Sequence, residues 1–218
     1  VSTDGVNYTL LNGNIAANTP TYAATGLFPN TTYHWRVCAL SEGKLGTPLT
    51  GSQATPAPTE ITSVATGNWN ATTTWSTGTV PTSTDNVTIA NGHTVTINAA
   101  SLSCINLTVN NGGILQFETA TGRTLTVNGN LTINSGGTFQ TGASGTVTTH
   151  NVTLHGNLTN SGTLDFSTNS NTAGATITFT GTMYPTVDLT LGAGSVTDFR
   201  NSSGVTLSKG SNRNNTLT

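Results

Sequence analysis

Asp165 and Asp198 are the residues of this 218-residue chain best placed to do chemistry. Each precedes a phenylalanine, Phe166 or Phe199. Glycoside hydrolysis needs an acid and a base or nucleophile about 5 to 9.5 Å apart. If the two strands are neighbours in a parallel stack, one strand spacing of about 4.8 Å puts the carboxylates near the short end of that range. Asp188 and Arg200 are the nearby acid and cation. Stabilising a transition state takes a convergent set of acid, base and cation, and neither a glutamate-rich cleft nor a multi-Asp calcium loop accompanies these four. His93, His150 and His155 stand apart from any Cys, Asp or Glu at ligand spacing, so they are expected at outward polar or turn positions rather than on a metal. No catalytic, cofactor-binding or metal-binding residue is assigned, and the chain is expected to be non-catalytic and to carry no cofactor.

The element that must position these groups is a repeat. An apolar-Thr-apolar triplet followed by a small polar turn recurs at Val87-Thr88-Ile89-Ala90-Asn91-Gly92, Leu107-Thr108-Val109-Asn110-Asn111-Gly112, Leu131-Thr132-Ile133-Asn134-Ser135-Gly136 and Leu189-Thr190-Leu191-Gly192-Ala193-Gly194. A shortened copy, Leu158-Thr159-Asn160-Ser161-Gly162, lies between the last two. The starts are separated by 20, 24, 27 and 31 residues. Such periods belong to solenoids, whose units bury their apolar faces only by stacking. Leu107, Val109, Leu131, Ile133, Leu189 and Leu191 are expected inside. Phe117, Phe139, Phe166 and Phe199 follow the same period and are expected to form an interior aromatic column. Gln116, Thr138, Asp165 and Asp198, one residue earlier, then belong to one outward ladder.

Composition agrees with an extracellular or cell-surface β protein. Charged residues make up 6% and the net charge is -2. Thr, Asn, Ser and Gly are poor helix formers suited to short strands and tight turns. Disorder is excluded by the regular alternation of Val, Ile, Leu and Thr at low net charge. No apolar run reaches the roughly 20 residues of a membrane-spanning helix. The six Lys and Arg are scattered, which argues against nucleic acid. Cys38 and Cys104 fall in different segments and are expected as free thiols rather than a bridge.

Residues 1–50 read as a first unit. In Leu27-Phe28-Pro29-Asn30-Thr31-Thr32-Tyr33-His34-Trp35-Arg36-Val37-Cys38-Ala39, the residues Tyr33, Trp35, Val37 and Ala39 alternate with His34, Arg36 and Cys38, the pattern of a half-buried strand with solvated His34 and Arg36. This stretch resembles the C-terminal half of a fibronectin type III domain. The resemblance implies a β-sandwich and makes Tyr33 the corner tyrosine whose hydroxyl bonds to backbone upstream. Lacking the early strands, the unit is expected to be unstable alone. The chain opens in Val1-Ser2-Thr3-Asp4-Gly5, the end of a strand entering a turn, and is expected to be a piece of a longer protein with any secretion signal outside it.

Residues 51–60, with Pro56 and Pro58, read as a linker. Residues 61–218 then form a parallel β-helix, with 61–84 as its cap segment. Trp69, Trp75, Val80-Pro81, Asp85-Asn86-Val87 and Gly92-His93-Thr94-Val95 resemble the segment that precedes right-handed β-helices in secreted surface proteins of Bacteroidetes, and are similar to the eight-glycine domain of some animal ectodomains. That resemblance implies location and architecture rather than a reaction. Trp69 and Trp75 are expected to plug the open end of the solenoid, with sugar stacking as the alternative.

The sequence thus predicts an all-β chain, a partial fibronectin type III β-sandwich followed by a parallel β-helix. The expected role is non-catalytic: surface adhesion, a rigid stalk, or weak contact with polysaccharides or cell-surface glycans. The enzyme alternative is a carbohydrate-active β-helix, a lyase or glycoside hydrolase. A third reading is an ice-binding solenoid, because Thr94-Val95-Thr96, Thr124-Leu125-Thr126, Thr146-Val147-Thr148 and Thr176-Ile177-Thr178 each place two threonines on one face, and ice-binding solenoids present flat ranks of such pairs. Frequent turn asparagines are expected to hydrogen-bond from coil to coil.

Overall fold

In the computed structural model the repeated phrase forms one column. The described residues are 1–180 apart from 14, 17, 18, 26, 143 and 167–173, together with the backbone of Leu189–Leu191, Val196–Asp198 and Leu207–Lys209. Val87, Leu107, Leu131, Leu158 and Leu189 are register partners in successive parallel strands, so the sequence spacings are the coil lengths. The chain is all-β, with a parallel β-solenoid of about five turns and a small N-terminal antiparallel sheet. These fall in separate compact units, Thr59–Thr218 and Val1–Pro58. Among the described residues no helix is long and apolar enough to cross a membrane.

Three parallel sheets enclose the solenoid core. Face 1 stacks Thr59–Thr62, Asp85–Ile89, Leu107–Val109, Leu131–Ile133, Leu158–Asn160 and Leu189–Leu191. Face 2 stacks Gly67–Asn68, Thr94–Ile97, Ile114–Phe117, Thr138–Gln140, Thr163–Asp165 and Val196–Asp198. Face 3 stacks Ser101–Cys104, Thr124–Val127, His150–Leu154, Ala175–Phe179 and Leu207–Lys209. Side chains alternate across each strand, so every second residue enters the core. Leu107, Val109, Leu131 and Ile133 are fully buried, and each such side chain contributes about 1.5–3 kcal/mol. Leu189 and Leu191 have side chains outside the described part.

The Asn-Gly and Ser-Gly steps of the repeat turn the chain from face 1 to face 2. Gly112 and Gly136 have φ of 69° and 79°, a region open to glycine and strained for other residues. The N–H groups of Gly113 and Gly137 close these turns on the carbonyls of Asn110 and Asn134, at 2.9 and 2.8 Å. Asn side chains tie coil to coil, as expected: Asn91 Nδ2 donates to the Asn111 carbonyl at 2.9 Å, and Asn111 Nδ2 to the Ser135 carbonyl at 3.0 Å. At the corner before face 1, the Oδ1 atoms of Asn106 and Asn130 accept the next coil's backbone N–H, from Asn130 and Asn157, at 2.8 and 2.9 Å. An amide that both donates and accepts is suited to such a column.

The aromatic residues meet in the core with a different register from the one expected. Phe117, Phe139 and Phe166 are buried, with ring centroids 5.1–6.1 Å apart. Phe139 pairs with Leu115 and Leu164 rather than with the other phenylalanines, so it enters from an adjacent slot. The slot after Gln140 holds buried Thr141, whose small side chain leaves room for the larger rings. Phe199 lies outside the described residues. Asn160 takes the inward position of Ile133 in the shortened copy, and its Oδ1 accepts the Gly162 N–H at 2.9 Å.

In the N-terminal unit Thr32–Val37 pairs antiparallel with Leu49–Ala54, and Leu40–Ser41 pairs with Lys44–Leu45 in a short hairpin. Tyr33 is buried and its hydroxyl accepts the Phe28 N–H at 3.0 Å, the upstream bond expected of a corner tyrosine. The expected burial does not continue along the strand. Val37 is 49% exposed, because a two-stranded sheet leaves its far end uncovered. Arg36 is exposed as expected, but its guanidinium carbon lies 3.8 Å from the Tyr8 ring centroid, a cation–π contact.

The expected linker is strand at both ends: Leu49–Ala54 and Thr59–Thr62 leave only 55–58 between the strands. The indole of Trp35 lies where a side chain on Gly51 would go, so Gly51 is a packing residue rather than a linker residue. Both cysteines are free, Cys38 exposed and Cys104 buried, where desolvation pushes the Cys104 thiol pKa up strongly.

Candidate functional site

The two aspartates highlighted by the sequence belong to neighbouring coils. Asp165 and Asp198 are register partners on face 2. Their ladder continues through Gln140, Gln116, Thr96 and Asn68. Thr138, expected in it, instead pairs with Ile114 and Thr163, because Phe139 is displaced from the aromatic register. Within the ladder Gln116 Nε2 donates to Thr96 Oγ1 at 3.2 Å, and Gln140 Nε2 to Gln116 Oε1 at 3.4 Å. The outward amides are thus engaged along the stack. The side chain of Asp198, and Asp188 and Arg200 altogether, lie outside the described part.

His93, His150 and His155 occupy three different environments. His93 is half-buried on the turn before face 2, with Nδ1 3.0 Å from both Oγ and the carbonyl O of Ser63. Ser63 Oγ also accepts the Ala90 N–H at 2.8 Å, and Ser63 is buried. A catalytic Ser–His pair needs an accessible hydroxyl and a third group orienting the base. Here the pair joins the first strand of face 1 to the coil below it. Ser63 was invisible in the sequence because its partner is 30 residues away.

His155 is half-buried beside Thr180, with Nδ1 2.7 Å from Thr180 Oγ1, and burial lowers its pKa. His150 contradicts the expectation of an outward position. It is 1% exposed and its ring stacks on Phe117 at 4.5 Å. The strand begins at His150 itself, so alternation puts this residue inside and Asn151 outside. Beside it Arg123 and Glu118 form a half-buried ion pair. Desolvation pushes the His150 pKa down to about 4; the Glu118 carboxylate and carbonyl oppose this and Arg123 adds to it. Among the described residues no group of three or more His, Cys, Asp or Glu side chains is placed to hold a metal ion.

Trp69 and Trp75 close the end of the solenoid. Both are buried, with rings edge-to-face at 5.2 Å, and Trp75 Nε1 donates to the Trp69 carbonyl at 2.7 Å. Neither indole offers an open face to a sugar ring, so the stacking alternative fails.

Of the threonine pairs, Thr124/Thr126 and Thr176/Thr178 share face 3, whereas Thr94/Thr96 lie on face 2. Thr146 and Thr148 are exposed outside any strand. Their expected place is taken by Asn151 and Thr153, and the rank is extended by Ser101 and Ser103. The outward residues of face 3 therefore form two uncharged polar columns about 6.7 Å apart, with rungs about 4.8 Å apart. Asn151 Nδ2 donates to Thr153 Oγ1 at 2.9 Å, and Thr178 Oγ1 donates to Asn151 Oδ1 at 3.1 Å.

Fold and surface together define a parallel β-solenoid with an apolar core and polar outward ladders, uncharged on face 3 and ending in Asp165 and Asp198 on face 2. The chain belongs to the family described as domain of unknown function DUF8693, which matches residues 61–184. No curated protein and no solved structure matches the chain.

Proposed function

We propose that this chain is a non-catalytic, extracellular or cell-surface element, a rigid solenoid that serves as a stalk or adhesive rod and contacts glycans weakly. The single observation that carries this reading is the use of the outward polar groups. Asn91, Asn106, Asn111, Asn130, Gln116 and Gln140 bond from coil to coil along the stack rather than converging on a reacting atom. Catalysis requires groups that are complementary to a transition state. The resemblances to fibronectin type III modules and to secreted surface β-helices support the same reading, with the N-terminal unit as part of a spacer module.

Two alternatives each have one observation in their favour. Adjacent Asp165 and Asp198 favour a carbohydrate-active enzyme, and the hydroxyl-rich columns of face 3 favour an ice-binding surface. One set of assays separates the three: incubation of the chain with a polysaccharide panel, and measurement of thermal hysteresis. Weak or no glycan binding, no product and no hysteresis are expected. Sugar release or unsaturated product that disappears in the Asp165→Asn, Asp198→Asn double variant would establish the enzyme. Hysteresis that Thr126→Lys removes would establish ice binding.

A further inference from the structure

His150 is set in the core in a way that disfavours its charged form. Its Nδ1 accepts the Arg123 backbone N–H at 3.1 Å, which places the ring proton on Nε2. Nε2 is buried and has no hydrogen-bond partner among the described residues. One face of the ring lies on Phe117, at an interplanar angle of 22°. Protonation would put a second proton on Nδ1, pointing at the Arg123 N–H, and would confine a charge that water cannot reach.

Among the described residues the charged groups around the ring are Glu118, which follows the strand carrying Phe117, and Arg123, which precedes Thr124–Val127. The Glu118 carboxylate and carbonyl favour an imidazolium, but the carboxylate is already engaged by Arg123 and burial outweighs both. Ala175–Phe179, paired on the other side, and Thr138–Gln140 contribute no titratable side chain.

We propose that His150 is an acid-sensitive lock on the third coil: to accept a proton the ring must leave the core, breaking its Phe117 stack and its Arg123 bond and loosening the solenoid there. The sign follows from linkage. The folded-state pKa is depressed to about 4, against about 6.5 in the unfolded chain. Above about 6.5 both states are neutral and the contribution to stability is fully present. It is lost as pH falls from about 6.5 towards 4, because only the unfolded state takes up the proton.

The test is unfolding by urea at pH 7.5 and pH 4, comparing the full chain with His150→Phe, which keeps an aromatic ring on Phe117. Acidification is expected to raise the unfolding constant of the parent on the order of a hundredfold more than that of the variant. Equal acid sensitivity in the two would overturn the proposal. If His150→Phe does not fold, nitrogen-detected titration of the imidazoles in the parent decides. An Nε2–H tautomer whose pKa lies well below 6 is expected, and ordinary titration near 6.5 in the folded chain would refute it.

Discussion

The solenoid and the N-terminal sheet use similar residues to opposite effect. In the solenoid Leu131 has Leu107 on one side and Leu158 on the other, in register, and all three are fully buried. In the N-terminal unit Leu49 pairs with Val37, yet the two are 68% and 49% exposed. A parallel coil is covered on both sides by copies of itself, so one apolar-Thr-apolar phrase makes both the strand and the surface it packs on. Among the described residues the N-terminal unit pairs its strands only two by two, and a two-stranded antiparallel sheet has one neighbour per strand where a coil inside the stack has two. The lesson is that burial here follows from repetition rather than from hydrophobicity.

Introducing a charge should separate the two regions most strongly. Leu131→Asp should cost more than about 4 kcal/mol, since it removes a core side chain and leaves an unpaired carboxylate among apolar neighbours. Leu49→Asp, at an exposed position, should stay within about 0.5 kcal/mol. The check is a thermal melt of each variant followed by far-ultraviolet circular dichroism. A Leu131→Asp variant that melts like the parent would break the contrast and the core assignment with it.

A smaller effect should distinguish the glycines of the two regions. Gly112 and Gly43 both have positive φ, 69° and 76°. At Gly112 a Cβ would lie 2.7 Å from Asn91 Nδ2 in the preceding coil, whereas at Gly43 it would meet nothing within 4 Å. Gly112→Ala should destabilise the solenoid by about 1–2 kcal/mol, combining backbone strain with disturbance of the Asn91 bond. Gly43→Ala carries the strain alone and should leave the solenoid melt unchanged. Equal shifts in that melt would mean that the turn column does not couple the coils.

What was legible in the sequence was whatever the repeat encodes locally. The column from Val87 to Leu189, the inward Leu107 and Ile133 and the coil-to-coil asparagines follow from spacing and alternation, and the buried tryptophan pair from the cap segment. The misread positions lie where a loop interrupts the period. Thr146-Val147-Thr148 has the alternation of a strand, but the strand begins at His150, which turns that residue inward. Phe139 fits the aromatic period yet sits two residues away from the slot, a register difference that pattern alone does not fix. Ser63 and His93 meet across 30 residues, and Gly51 is required by Trp35 on the paired strand. Such contacts depend on tertiary geometry. The candidate site was legible as the adjacency of Asp165 and Asp198 with Gln116 on the same ladder; Gln140, in the place expected for Thr138, was not.

Native-state hydrogen exchange resolved by residue tests the contrast most directly. Amides of Asp85–Ile89, Leu107–Val109, Leu131–Ile133 and Thr124–Val127 should exchange slowly and with similar opening free energies, because their bonds break only when stacked coils separate. Amides of Thr32–Val37 should exchange much faster. Protection in Thr32–Val37 equal to or greater than that of the solenoid strands would contradict the claim that stacked repetition holds this protein together.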